Sequence, residues 1–130
     1  MGNASNRPGA VRRIGVVDDN EIMRDSLVAT LEAAGHDVVG FASAEAILAA
    51  AGDRLDLLIS DLKMPGMDGI ELFRAVHARW PSVQGILMSG FGGDADAGVL
   101  RAEGVQAVLQ KPFASADLVE AVARVNGSPA

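Results

Sequence analysis

The fold is decided by the stretch Leu57-Leu58-Ile59-Ser60-Asp61-Leu62-Lys63-Met64-Pro65-Gly66-Met67-Asp68-Gly69. The short apolar run at its start is typical of a strand buried on both faces of a parallel sheet. Turn-forming pairs follow it, so Asp61 lies where the strand becomes a loop. Open α/β sheets bind ligands at this end of their strands. Taken alone, however, an Asp in this position is more often a turn or cap residue.

Strand and helix patterns alternate through the rest of the chain in five units. The predicted strands are residues 14–17, 37–41, 57–61, 85–88 and 105–110. Helical spacing of apolar residues follows each strand, as in Met23, Leu27 and Leu31. Short connections between such units predict right-handed crossovers. We therefore predict an α/β fold of the flavodoxin-like (βα)5 type, a doubly wound five-stranded parallel sheet of order 2-1-3-4-5.

Length and composition limit the possible functions. The 130 residues suffice for one domain, which we place at 12–127 between an N-terminal tail at 1–11 and a C-terminal tail at 128–130. The net charge of −6 argues against nucleic acid or an anionic membrane as a direct partner and permits a cation site. With no Cys, disulfides and thiol chemistry are excluded. No stretch resembles a membrane span or signal peptide, so we expect a cytoplasmic protein without membrane insertion.

Five side chains fall at or just after predicted strand ends: Asp18, Asp19, Asp61, Ser89 and Lys111. Because the carboxyl ends of parallel strands share one edge of the sheet, we expect these groups to converge. Each alone has an ordinary structural explanation, such as negative charge near a helix N-terminus or a solvated amine. Together, three carboxylates, one amine and one hydroxyl indicate a shared site.

Crowded carboxylates repel one another and favour a bound cation. Oxygen ligands suit Mg²⁺, which retains waters and recruits phosphate oxygens. An Asp beside such a metal can attack phosphorus and form an acyl phosphate. Lys111 and Ser89 can then hold the remaining phosphoryl oxygens, while Gly90 leaves the approach open because it has no side chain. The predicted chemistry is phosphoryl transfer to Asp61.

The strand ends carry separated motifs: Asp18-Asp19, Asp61 with Met64-Pro65-Gly66-Met67-Asp68-Gly69 after it, Ser89-Gly90 and Lys111-Pro112-Phe113. In this order they resemble the signature of response-regulator receiver domains, the phosphoacceptor modules of two-component signalling. The resemblance covers nearly the whole chain. It implies that Asp61 is the phosphoacceptor and that Asp19 binds Mg²⁺ directly, with Asp18 acting through water. The backbone carbonyl of Lys63 would be the third protein ligand.

The same resemblance implies that Ser89 and Lys111 hold the phosphoryl group and that the Lys111–Pro112 peptide bond is cis. One residue departs from the family pattern. Three positions before the Lys, receivers usually carry a Phe or Tyr that rotates as a switch, and this chain has Val108. The departure bears on how phosphorylation is read out, not on the chemistry at Asp61.

The resemblance also implies partners. The phosphoryl group would come from a histidine kinase or a histidine phosphotransfer protein, and a downstream protein would dock on the face formed by the fourth helix, fifth strand and fifth helix. We expect output by docking without an output domain, and no enzymatic activity beyond the chain's own phosphorylation and dephosphorylation. The sequences around Ser89 and Lys111 are also similar to those of receivers fused to hybrid histidine kinases. The sequence is compatible both with a free-standing relay protein and with a receiver excised from a hybrid histidine kinase.

Three other classes of protein fit the sequence less well. A Mg²⁺-dependent phosphohydrolase of the haloacid-dehalogenase type forms an aspartyl phosphate, but it needs an Asp-x-Asp motif that Asp18-Asp19-Asn20 does not supply. A flavodoxin-like electron carrier needs hydroxyl-rich phosphate loops, where Asp18 and Asp19 would repel the phosphate. A receiver that only binds partners should have lost site residues, and none of the five is lost.

Overall fold

The structure of the chain, a computed structural model, describes residues 12–50, 55–90 and 97–126. The two predicted tails, 1–11 and 128–130, lie outside the described residues. Strands and helices alternate in five pairs: β1 Arg13–Val17, α1 Glu21–Ala33, β2 Asp37–Phe41, α2 Ala44–Ala50, β3 Leu57–Asp61, α3 Gly69–Arg79, β4 Gln84–Ser89, α4 Ala97–Ala102, β5 Ala107–Gln110 and α5 Ser115–Asn126.

The five strands form one parallel sheet of order β2-β1-β3-β4-β5. This arrangement confirms the predicted fold class and strand order. In the sheet Val17 pairs with Ser60, and Asp61 pairs with Met88. The ends of β1, β3 and β4 are therefore offset by only one residue from strand to strand, and the loops after them open at the same edge.

Side chains alternate between the two faces of the sheet, as strand geometry requires. On one face, residues such as Val17, Leu58 and Leu87 pack with α2, α3 and Leu100 of α4. On the other face, neighbours such as Val16 and Ile59 pack with α1 and α5. Each central strand is thus apolar on both sides, which explains the continuous apolar runs in the sequence.

Capping residues fix where the helices begin beside the site. The Asn20 side chain accepts a hydrogen bond from the Met23 backbone N–H at 3.0 Å and begins α1. At α3, Asp68 and Glu71 form a capping box, each side chain accepting from the other's backbone N–H. Such caps satisfy helix N–H groups that have no partner within the helix.

One strand boundary differs from the sequence prediction by more than one residue. The fifth strand begins at Ala107, two residues later than predicted, because Val105 is part of the cap that follows α4. The Val105 N–H donates to the carbonyl of Leu100, and Gly104 has a φ of +99°. This is the pattern of a Schellman cap, in which the residue after the glycine bonds back to the last helical turn. The described part of α4 is Ala97–Ala102.

Within residues 12–50, 55–90 and 97–126, no helix is both long enough and apolar enough to span a membrane.

Candidate functional site

Three acidic side chains meet at the carboxyl edge of β1 and β3. Asp18 and Asp19 follow the last residue of β1, and Asp61 ends β3. One carboxylate oxygen from each lies within 4.8 Å of the others. The structure thus brings together the three acids that the sequence predicted as a cluster.

Asp18 is completely buried, and only one of its two carboxylate oxygens has a hydrogen-bond partner. The Oδ1 atom accepts from the Asn20 backbone N–H at 2.9 Å. The Oδ2 atom is buried with no hydrogen bond from the described residues, and the nearest cation, Lys111 Nζ, is 3.7 Å away. A buried carboxylate oxygen left this way is costly unless a cation approaches it. Because the cluster offers only oxygen atoms, its composition fits Mg²⁺.

Lys111 connects the acidic cluster to the end of β4. Its Nζ atom lies 2.6 Å from Oδ1 of Asp61, and the side chain is only 26% exposed. Its backbone N–H donates to the carbonyl of Ser89 at 2.7 Å. The Lys111–Pro112 bond is cis, which confirms the prediction. The amine is therefore placed directly against the carboxylate predicted to react.

The pKa of Asp61 is raised from its ordinary value of 3.8 to about 6. Burial is the largest cause, since the residue is 9% exposed and a desolvated carboxylate resists ionisation. The negative charge of Asp18 adds to the increase, while the hydrogen bond and charge of Lys111 oppose it. Burial and the neighbouring acid outweigh the ion pair. A bound divalent cation would favour the ionised form.

This shift predicts a pH-dependent stability that is specific to Asp61. Because the folded chain holds the proton more tightly than the unfolded chain, the group favours folding most below pH 4, and this contribution is lost as pH rises through 6. Solvent access to the site reduces the effect to roughly 1 to 2 kcal/mol. We expect the unfolding free energy of Asp61→Asn minus that of wild type to increase by this amount between pH 4 and pH 7 in urea titrations without Mg²⁺. Parallel profiles for the two proteins would contradict the raised pKa.

The remaining predicted site residues lie around the cluster. Ser89 ends β4 and is 4% exposed, and its hydroxyl donates a long hydrogen bond, 3.4 Å, to the Gly90 carbonyl. Gly90 follows as a half-buried residue. Lys63 lies two residues beyond Asp61 in the β3–α3 loop, with an exposed side chain. Their roles in binding Mg²⁺ or phosphate stay predictions.

Val108, the predicted switch position, lies in β5 and away from the acidic cluster. Its side chain is half-buried and packs against the apolar cluster that α2, α3 and α4 share with the sheet. It also lines a groove of about 540 Å³ bounded by β5 and α5. A larger side chain at this position has space beside it.

Two residues close to the site were missed by the sequence analysis. Gly69, the first residue of α3, lies so near the backbone of Asp61 that a Cβ atom would collide with the Asp61 carbonyl oxygen. Arg24, on the first turns of α1, donates from Nη1 to the backbone carbonyl of Asp18 at 2.8 Å. Gly69 was seen only as a turn former. Nothing in the sequence pattern pointed to Arg24.

Comparison with known proteins identifies the family of the chain. The model of the response regulator receiver domain family matches residues 14–123. The chain belongs to this family.

Its relatives include longer regulatory proteins. The chain is 39% identical over 110 residues to the C4-dicarboxylate transport transcriptional regulatory protein DctD of Rhizobium meliloti, covering 84% of this chain and 24% of DctD. It is 39% identical over 99 residues to the transcriptional regulatory protein FixJ of Bradyrhizobium diazoefficiens, covering 75% of this chain and 48% of FixJ. The chain thus spans about a quarter to a half of these relatives' lengths.

Solved structures share the fold. The crystal structure of FixJ-N superposes with a TM-score of 0.79 at 33% identity and covers 92% of this chain and 96% of that one. A CheY-like response regulator receiver domain protein from Methanospirillum hungatei JF-1 gives a TM-score of 0.80 at 29% identity, with coverage of 89% and 94%.

Proposed function

We propose that the chain is a working phosphoacceptor, which takes a phosphoryl group onto Asp61 from a histidine kinase or a histidine phosphotransfer protein. The observation that carries the proposal is the Lys111 amine 2.6 Å from the Asp61 carboxylate, beside a buried Asp18 oxygen that accepts no hydrogen bond from the part of the chain that the structure describes. A structural ion pair would need one acid for one base. Here a cluster of three acids has one amine against two of its members, which is the charge balance of a site that also binds a cation.

The chemistry follows from the positions of these groups. A carboxylate oxygen of Asp61 attacks the phosphorus, and the bond from phosphorus to the donor's nitrogen breaks as the new P–O bond forms. The donor imidazole takes the electron pair of the broken bond. Lys111 is placed to exchange its contact with Asp61 for one with a phosphoryl oxygen. Ser89 and the Gly90 backbone are placed on the neighbouring strand end to contact another.

Asp18 and Asp19 would hold Mg²⁺ together with Asp61 and the backbone carbonyl of Lys63. The bound ion supplies neutralisation of the charge that develops on the transferred group. Asp18 is held rigidly by burial and by the Asn20 N–H, whereas Asp19 is exposed and free to adjust. We further propose that the chain acts in the cytoplasm and modifies no substrate other than itself.

The experiment that tests this function is phosphorylation by acetyl phosphate, which needs no cognate kinase. We expect a shifted band on a phosphate-affinity gel with Mg²⁺ and no shifted band with excess EDTA. Loss of the shifted band after treatment with acid or with alkali would indicate an acyl phosphate. A band of equal intensity in EDTA would contradict a metal-dependent site, and no band under any condition would contradict the phosphoacceptor function.

The relatives suggest a second candidate function. Relatives of this chain are named as transcriptional regulators, among them the DNA-binding transcriptional regulator NtrC of Escherichia coli, which is 39% identical over 112 residues. A second candidate is therefore that the chain controls transcription as part of a longer protein, in place of output by docking alone. The expectation of no nucleic-acid partner concerns these 130 residues and stays a prediction. Binding of the chain alone to DNA in a gel-shift assay would contradict that expectation.

Because Val108 stands at the switch position, we expect phosphorylation to change only a limited part of the structure. Its β-branched side chain is stiff and has no ring that could turn inward in response to phosphorylation. On adding beryllofluoride and Mg²⁺ we expect the largest amide chemical-shift changes near Ser89 and Gly90, with smaller ones in β5 and α5. Val108→Phe, which has the adjoining groove to occupy, should extend the changes into β5 and α5. Equally large changes in β5 and α5 of the wild type would contradict the restricted response.

A further inference from the structure

We propose that Arg24 is a positioning residue for the metal-binding acids, and that its guanidinium holds the β1–α1 turn in the form that binds Mg²⁺. The inference deepens the proposed function, since it concerns the same site. Arg24 touches neither the carboxylate oxygens of the cluster nor the phosphoacceptor in the contacts described. It acts on the backbone of Asp18.

The backbone of Asp18 is held by a hydrogen bond on each side of its Cα atom. Its N–H donates to the carbonyl of Phe41 at 3.1 Å, which continues the pairing of β1 with β2. Its carbonyl accepts from Arg24 Nη1 at 2.8 Å. The side chain is then oriented by the Asn20 N–H at 2.9 Å. A hydrogen bond with one charged partner is stronger than one between neutral groups, so the Arg24 contact is stronger than the backbone bond to Phe41.

The path of the Arg24 side chain is set by the neighbouring strand. A Cβ atom built on Gly40 would lie 3.1 Å from Cγ and 3.3 Å from Cδ of Arg24, closer than nearly all real contacts. Gly40 in β2 therefore leaves room for the arginine stem to cross toward the end of β1. The backbone N–H of Arg24 also donates to the Asn20 carbonyl at 2.9 Å, which ties the residue to the turn that it supports.

The expected effect separates metal binding from phosphoryl transfer. Arg24 supports the turn that carries Asp18 and Asp19, whereas Asp61 and Lys111 follow other strands. Loss of the Arg24 contact should therefore weaken Mg²⁺ binding while leaving the phosphorylation rate at saturating Mg²⁺ close to wild type. Charge alone predicts the opposite change in affinity, because removing a cation near a cation site should tighten binding of Mg²⁺. Weaker binding therefore reports the lost positioning contact.

The experiment is calorimetric titration of Mg²⁺ into wild type, Arg24→Gln, Arg24→Lys and Gly40→Ala, without a phosphoryl donor. We expect Arg24→Gln to raise the Kd by about tenfold or more, which corresponds to the loss of one charged hydrogen bond. Arg24→Lys should give an intermediate value, since the amine keeps the charge on a shorter side chain. Gly40→Ala keeps the guanidinium but displaces its stem, so it should raise the Kd by a smaller factor.

Arg124→Gln is the matched control, because it removes the same charge from an exposed i,i+4 pair with Glu120 on α5. Its Kd should equal that of wild type. A Kd for Arg24→Gln equal to or lower than that of Arg124→Gln would overturn the inference. If Arg24→Gln does not fold in a urea titration, Arg24→Lys and Gly40→Ala decide, and wild-type Kd values for both would overturn it.

The outcomes also distinguish this inference from the proposed function. A wild type that binds Mg²⁺ but accepts no phosphoryl group contradicts the proposed function alone. A wild type that is phosphorylated, with an Arg24→Gln Kd that is unchanged, contradicts the positioning role alone. A wild type that does not bind Mg²⁺ at all contradicts both.

Discussion

Asp61→Asn is expected to lose detectable phosphorylation by acetyl phosphate, with a fall in rate on the order of 10³-fold or more, as when an enzyme loses its nucleophile. The amide keeps the size of the side chain but has no carboxylate oxygen to attack phosphorus. The Lys111 amine also loses its partner at 2.6 Å, so the charge balance of the site changes with the chemistry. No shifted band should form on a phosphate-affinity gel, and beryllofluoride should bind only to wild type.

Asp68→Asn is the matched control for this substitution. Asp68 lies in the same loop and caps α3 through its side chain, a role that Asn performs about equally well. It should be phosphorylated at a rate close to wild type. If Asp61→Asn still gives the shifted band, another residue accepts the phosphoryl group and the assignment of Asp61 is wrong.

Gly69→Ala is expected to damage both the stability and the chemistry of the site. The added Cβ would collide with the Asp61 carbonyl oxygen and lie 3.0 Å from Cα of Leu62, both of them backbone atoms. The Gly69 N–H is held at 2.7 Å from the Leu62 carbonyl, so neither segment can move freely. We expect the free energy of unfolding to fall by about 2 to 3 kcal/mol, as in other overpacked sites. Displacement of Asp61 should slow phosphorylation by on the order of ten- to a hundredfold.

Gly35→Ala separates this collision from the general effect of replacing a glycine. Gly35 has a φ of +99° but no heavy atom within 4 Å of the added Cβ. It should lose only about 1 kcal/mol, the cost of a left-handed conformation for an L-residue, and should be phosphorylated normally. Equal losses of stability in the two variants, or normal phosphorylation of Gly69→Ala, would contradict the predicted collision between the added Cβ and the Asp61 backbone.

The strands and the acidic cluster were predictable because they depend on local pattern and on one general rule. Apolar runs that end at Asp18, Asp61 and Ser89 mark buried parallel strands, and parallel strands bring their carboxyl ends to one edge. The convergence of the acids then follows without any knowledge of side-chain packing. The Lys111 amine was predicted in the same way, and the structure places it against Asp61.

What could not be predicted depends on contacts between distant parts of the chain. The hydrogen bond of Arg24 to the Asp18 carbonyl requires the space above Gly40, which only the pairing of β1 with β2 creates. The late start of β5 has a local origin instead, because Val105 is apolar like a strand residue but its N–H donates to the Leu100 carbonyl at the end of α4. Hydrophobic pattern alone does not distinguish these alternatives.

The central claim is that Asp61 is the phosphoacceptor, and chemical mapping of the acyl phosphate tests it most directly. The chain is phosphorylated with acetyl phosphate and Mg²⁺ and then reduced with borohydride, which converts an aspartyl phosphate to homoserine. Peptide mass spectrometry then locates the modified residue. We expect homoserine at position 61 alone, and none when EDTA replaces Mg²⁺. Homoserine at Asp18, Asp19 or any other acid, with Asp61 unmodified, would contradict the account.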